Sequence, residues 1–406
     1  MDSLITAAAR ALAAGDPLGA LNRVALRDDP PALALRGIAM AQLGDLAKAK
    51  SLLKAAARGF GPREAVSRAR CVVAEAEIAL VSRDLTWPAK ALQAARQTLD
   101  DHGDRLNAAH AGYLGIRRLL LIGRLDQAER MLAEIDPAPF PAALRASYEL
   151  VVAGIEIRRL RTRTARAALL RARAAAIQSG ISALTAEVES ASLALEQPAA
   201  RLVGRGEGRM LLLEDVESLL ASSSFVVDGC RHVVRNARQN VSLARRPVLF
   251  SLVLALAQAW PGDVSRGDLI LKAFRARRAD ESHRARLRVE VGRLRKMLRT
   301  MADVRATEQG FSLVPRNSRD VVVLARPVDE EHANVLALLT DGEAWSSSAL
   351  ALALGASQRT VQRTLDSLAS TGKVRSLGRG RARRWVTPPV PGFTTTLLLP
   401  APLPGD

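Results

Sequence analysis

Between Ser282 and Arg299 the chain reads SHRARLRVEVGRLRKMLR, and its side chains are suited to holding anions. Arg284, Arg286, Arg288, Arg293, Arg295 and Lys296 supply six cations within thirteen residues, and Glu290 is the only acid after Glu281. Guanidinium groups bond phosphate oxygens as charged donors, and one can grip a guanine O6 and N7 with two hydrogen bonds. Ala285, Val289 and Gly292 lie between the cations, and such slim residues let a backbone approach a base edge or a phosphate. A solvated helix face ordinarily mixes signs, because Glu–Lys pairs support it. This face does not, and a polyanion is the partner its charge asks for.

Such cations need a rod to carry them. Leu287, Val291, Leu294 and Leu298 fall at i, i+4, i+7 and i+11, which predicts an α-helix with one stripe buried and Arg286, Arg288, Arg293 and Lys296 turned away from it. A second cluster follows in SQRTVQRTLDSLASTG. Val361, Leu365 and Leu368 would face inward there, with Arg359, Gln362, Arg363 and Asp366 opposite and Gly372 at the end. VRSLGRGRARRWVT then reads as a hairpin with Gly378 to Gly380 at its tip and Arg375, Arg379, Arg381, Arg383 and Arg384 around it.

The whole chain is basic, with 59 Lys and Arg against 41 Asp and Glu, net +18. Residues 201–406 hold 32 of those cations against 20 acids, so the excess concentrates where the clusters lie. That favours nucleic acid or an anionic surface. Catalysis has little to work with. His102, His110, His232, His283 and His332 are scattered, without carboxylate or Cys partners at motif spacing, and Cys71 and Cys230 stand alone. Gly204, Gly206 and Gly208 mark a boundary and not a nucleotide loop, since no Gly-Lys-Ser/Thr follows. We therefore expect no enzyme, no cofactor and no metal. The N-terminus lacks a signal peptide's basic-then-apolar order. The run Val248 to Leu256 is too short to span a bilayer. A cytoplasmic, nucleoid-associated protein is the expectation.

Residues 1–200 read as helix hairpins. In LRGIAMAQLGDLAKAKSLLKAAARGFGP, Gly37, Met40, Ala49, Leu53 and Ala56 take small or apolar positions, with Gly44-Asp45 at the turn and Pro62 near the end. Gly123, Ala128 and Leu132 repeat Gly44, Ala49 and Leu53 at a shift of 79, with degenerate copies between and after them. The pattern resembles the 34-residue tetratricopeptide repeat, which implies an α-solenoid with a concave surface for a protein partner or a small effector. Arg158, Arg159, Arg161, Arg163, Arg166, Arg171 and Arg173 read as a solvated face.

From Phe225 the pattern turns to strands, FVVD, RHVVR and QNVSL. Then come a helix RPVLFSLVLALAQAW stopped by Pro261-Gly262, a helix RGDLILKAF capped by Ser265, the cationic helix, and a hairpin VRATEQGFSLVP turning at Gln309-Gly310. This order, with GRLRKML in the third helix and QGFSL in the hairpin, resembles the winged-helix DNA-binding domain of the OmpR/PhoB class of response regulators over 210–316. The resemblance implies a third helix in the major groove and a wing at the minor groove. Carried over by position, Arg288 and Arg293 would read bases, and Arg284, Arg286, Arg295 and Lys296 would hold phosphates. The wing departs from that class in carrying Ser312 and Glu308, and the solenoid stands where a receiver domain would.

After a linker containing a strand-like VVVL, residues 328–388 begin with EEHANVLALLT, ending at Asp341-Gly342. Ser346 to Ser348 then cap SALALAL, Gly355 stops it, and Ser357 caps the next helix. This resembles the winged helix of MarR/IclR/GntR-type transcription factors, with Trp345 and Trp385 in its core. The tail 389–406 is Pro-rich.

The expected fold is mainly α, an N-terminal α-solenoid (1–200) followed by two α+β winged-helix domains. The expected function is sequence-specific double-stranded DNA binding in transcriptional regulation, with a partner or effector at the solenoid, no membrane, and a homodimer left open. The alternative is an adaptor that holds DNA without sequence choice while its solenoid recruits a protein.

Overall fold

The computed structural model describes residues 2–386, apart from 86, 139, 204–207, 245, 275–279, 317, 319, 326–331, 340–343, 371–372, 379 and 381–382. The tail, the Asp341-Gly342 helix end, Gly372, Arg379 and Arg381 lie outside the described residues. What is described is mainly helical, with eighteen α-helices and small sheets. It falls into two units, one drawn from 2–159, 163–192 and 332–386, the other from 160–162 and 193–325. No helix among the described residues is long and apolar enough to cross a membrane.

The first unit opens with eleven helices: α1 (Ser3–Ala13), α2 (Pro17–Val24), α3 (Pro30–Gln42), α4 (Leu46–Gly59), α5 (Ala65–Val81), α6 (Ala89–Asp101), α7 (Arg105–Leu121), α8 (Leu125–Ala133), α9 (Ala142–Arg158), α10 (Thr162–Ser179) and α11 (Ser182–Ser192). Their starts are written in aspartates. Asp2, Asp16, Asp29, Asp45 and Asp104 each accept a first-turn N–H that the helix cannot bond itself. Small residues set the packing within a hairpin. A Cβ at Gly37 would lie 2.8 Å from Leu53 Cγ, and Ala49 and Ala56 are fully buried beside it.

The turns repeat as well. After α3, Gly44 N–H bonds Ala41 O at 3.0 Å and Asp45 N–H bonds Met40 O at 3.0 Å. The same pair recurs at Arg83-Asp84 and Gly123-Arg124. The left-handed residues Gly44, Arg83, Gly123 and Leu160 stand 39, 40 and 37 residues apart. The pitch is therefore longer than the 34 residues suggested by the repeat pattern, because α5, α7 and α9 each run 17 residues. The shift of 79 spans two such hairpins.

The second unit contains β1 (Ala200–Val203), β2 (Arg209–Leu211), α12 (Leu213–Ala221), β3 (Phe225–Asp228), β4 (Val233–Arg235), β5 (Asn240–Ser242), α13 (Pro247–Ala259), β6 (Asp263–Ser265), α14 (Arg266–Phe274), α15 (Glu281–Leu298), β7 (Ala302–Ala306), β8 (Gly310–Pro315) and β9 (Val321–Ala325). Six strands make one sheet in the order β2-β1-β9-β3-β4-β5, with β9 parallel to β3 and every other pair antiparallel. The VVVL run, read as part of a linker, is thus an inner strand. Its apolar continuity follows from cover on both faces. Val323 and Phe225 share a core with α13, whereas Leu324 and Val226 pack with Val216 and Leu220 of α12. The other sheet is antiparallel, β6-β8-β7.

The described chain ends with α16 (Ala333–Leu339), α17 (Ser347–Leu354), α18 (Gln358–Ser370), β10 (Arg375–Leu377) and β11 (Arg384–Val386). Ser346 caps α17, Gly355 leaves it at φ 61°, and Ser357 Oγ accepts from Thr360 N–H at 3.1 Å, all as the local sequence predicts. These elements do not stand apart. Trp345, Leu350, Val361, Leu365, Leu368 and Trp385 share one continuous core with Val73, Leu80, Leu85 and Leu114 of the helical array.

Candidate nucleic-acid interface

The cationic rod is built from its cap inward. Asp280 starts α15, and its carboxylate accepts from His283 N–H at 2.8 Å and Ser282 Oγ at 2.7 Å. The His283 backbone bond, followed by the Ser282 bond, lowers its pKa from 3.8 to about 2. Leu287, Val291, Leu294 and Leu298 are each at most 2% exposed against the unit core, as the stripe requires.

The opposite face is open. Arg284, Arg286, Arg288, Arg293, Arg295 and Lys296 are all exposed. Arg284 donates to Glu281 at 3.2 Å, Arg288 lies 3.8 Å from the same carboxylate, and Arg293 donates to Glu290 at 2.8 Å. The two Glu281 pairs are between exposed side chains and contribute about 0–1 kcal/mol, so a phosphate can replace them, whereas Glu290 is 13% exposed. Arg286 lies 4.6 Å from the Phe274 ring centre. Lys296 makes no hydrogen bond or ion pair with the described residues. Gly292 has nothing within 4 Å of its would-be Cβ, so the middle of the rod is accessible to a partner.

Arg295 also makes an internal contact. Its Nε donates to Val304 O at 2.7 Å and its guanidinium lies 5.9 Å from the Phe311 ring centre, so it fastens the hairpin β7–β8 to α15. Arg266 fastens the hairpin turn, donating to Glu308 O at 2.8 Å and Thr307 O at 3.0 Å. Gly310 is required where it stands, since a Cβ would lie 1.8 Å from Val264 O.

The second cluster is only partly open. Arg359, Arg363 and Arg375 are exposed, while Gln362 is half-buried and donates to Asp366 at 3.0 Å. Arg383 lies 4.2 Å from the Trp385 ring centre and 3.9 Å from Asp366. Arg384 is half-buried, and its charge acts on Lys50 of the helical array. Burial is the main cause of the lowered Lys50 pKa, opposed by Asp84 3.7 Å away and reinforced by Arg384. Arg384 is thus less open than Arg359, Arg363 and Arg375, while Arg383 keeps 41% of its side chain exposed. Trp345 and Trp385 are 1% exposed and bridge each other through backbone bonds of 2.9 and 2.8 Å.

The basic run of α9 and α10 is largely committed within the first unit. Arg159 pairs with Asp126 and Glu129, Arg171 with Glu149 and Arg173 with Glu189. His110 is buried 2.9 Å from Glu77, and the His232 ring lies 4.6 Å from that of Phe250, tilted by 47°. Among the described residues no three His, Cys, Asp or Glu side chains converge as metal ligands.

Sequence reasoning passed over Arg246, which lines a cavity of about 370 Å³ together with Glu290 and Arg293 of α15. A signal was available: residues 229–262 contain five arginines and no acid. No protein-family model, curated protein or solved structure matches the chain.

Proposed function

We propose that the protein is a sequence-specific double-stranded DNA-binding transcriptional regulator. In this reading the helical array is a tetratricopeptide-like solenoid that receives a protein partner or effector. The second unit is an OmpR/PhoB-like winged helix with α15 in the major groove, and 332–386 is a second winged helix seated on the solenoid, with α18 outward. One observation carries the reading: α15 buries its four apolar residues and leaves its cations exposed on the remaining surface. A rod of this kind fits the major groove, with phosphate contacts fixing register and paired donors from Arg reading guanine.

Selection of bound sequences from random duplexes by the purified chain is the test. A recovered consensus supports the proposal, and Arg288→Ala should then weaken binding to that site by about 1–3 kcal/mol. Equal, salt-dependent affinity for all sequences would instead favour a non-specific adaptor. We propose nucleoid association in the cytoplasm under either reading, and dimerisation is not required by either.

A further inference from the structure

The elements that border α15 differ in charge. Around the hairpin β7–β8 the exposed charges are mixed, with Asp263, Asp268 and Glu308 beside Arg305 and Arg316; Arg305 lies 3.7 Å from Asp303 and Arg266 is held by the turn carbonyls. The turn between β4 and β5 borders the end of α15 instead, with Thr300 Oγ1 donating to Gln239 Oε1 at 2.5 Å. That turn is braced, because Asn236 Oδ1 accepts from the N–H groups of Arg238 and Gln239 at 3.0 and 2.9 Å. Arg238 at its tip is exposed. Arg246, one residue before α13, is exposed as well, with Nη1 3.5 Å from Met297 Sδ of α15. It shares the 370 Å³ cavity with Arg293 and Glu290. Glu290 is neutralised there by Arg293, which leaves Arg246 as net positive charge.

We propose that Arg238 and Arg246 extend the cationic face of α15 into an edge that holds phosphates along one strand of a DNA duplex. This rests on the DNA reading of α15 above and adds to it where the backbone runs: toward the β4–β5 turn and the start of α13, not along the hairpin β7–β8. A braced turn loses little freedom on binding, so its arginine is presented at small entropic cost. The acid-free run 229–262 adds no repulsion against the strand.

The test is the salt dependence of binding by the full chain to a fluorescein-labelled duplex of arbitrary sequence. Arg238→Ala and Arg246→Ala should each reduce the slope of log affinity against log salt by about 1, and the double variant by about 2. Arg238→Lys and Arg246→Lys should restore it, and unchanged thermal melts separate loss of contact from loss of folding. Arg305→Ala, exposed on β7, should leave the slope as it is. If both alanine variants keep the wild-type slope while Arg288→Ala or Arg293→Ala lowers it, the edge is overturned and the reading of α15 stands. If the unmodified chain shows no salt-dependent binding, both fall.

Discussion

Arg83 holds its guanidinium 5.3 Å from the centre of the Trp345 ring while its own backbone sits at φ 50°. The equivalent turns after α3 and α7 use Gly44 and Gly123 at that conformation. A left-handed non-glycine residue costs about 1–2 kcal/mol, so something must offset it. The side chain does: it also donates to Leu80 O at 3.1 Å and covers an indole that belongs to the C-terminal elements. A desolvated cation over an indole contributes up to about 2 kcal/mol.

Two substitutions separate these effects. Arg83→Ala should loosen α17 more than Arg83→Gly, by about 1 kcal/mol, because alanine keeps the strain and loses the contact. Amide hydrogen exchange across Ser347–Leu354 is the measurement. Equal protection in both variants would show that the backbone carries no strain there. Trp345→Ala should be worse than either, at about 3–5 kcal/mol.

Gly292 lies in the interior of α15 with open space around it. Gly292→Ala should therefore raise stability by about 0.5–1 kcal/mol, the usual helix preference. Gly292→Leu should stabilise comparably yet weaken duplex binding, because its side chain fills the approach to the groove. A leucine variant that binds DNA as tightly as the parent would remove Gly292 from the contact face.

The cap of α15 should titrate. The Asp280 pKa is lowered from 3.8 to about 2 in the folded chain, so the charged form stabilises the native state. That contribution is complete above pH 4 and disappears as pH falls toward 2. Asp280→Asn, which can cap without a charge, should flatten the stability profile of the second unit within this window. A profile identical to that of the parent would remove Asp280 as its source.

A buried pair marks the interior of the helical array, with His110 and Glu77 2.9 Å apart and at most 3% exposed. Glu77 also acts electrostatically on Arg117, so removing His110 leaves a carboxylate that has lost one hydrogen-bond partner in a desolvated site. His110→Leu should destabilise by about 1–3 kcal/mol, the cost of a buried acceptor that loses a hydrogen bond, and the His110→Leu, Glu77→Leu double variant should recover part of that loss. Chemical denaturation of the three chains is decisive, and a double variant no better than the single would mean that the pair is not coupled.

Features set within a few residues were legible in the sequence. The Leu287, Val291, Leu294 and Leu298 stripe and the caps at Ser265, Ser346 and Ser357 follow from periodicity and donor placement alone. Partners far along the chain were not. Val321 pairs with Phe225, and nothing local to VVVL names that neighbour. Arg295 and Arg384 look like any other arginine in a basic run. That Arg295 donates to Val304, and that Arg384 is half-buried, is decided by tertiary packing.

The place of β9 constrains how the second unit can be handled in the laboratory. Val321–Ala325 lies between β1 and β3, so a fragment stopped after the hairpin at 316 would leave both strands with raw hydrogen-bonding rims. Such a piece would be sticky in isolation. On the ribosome, this sheet closes only after residue 325 has emerged.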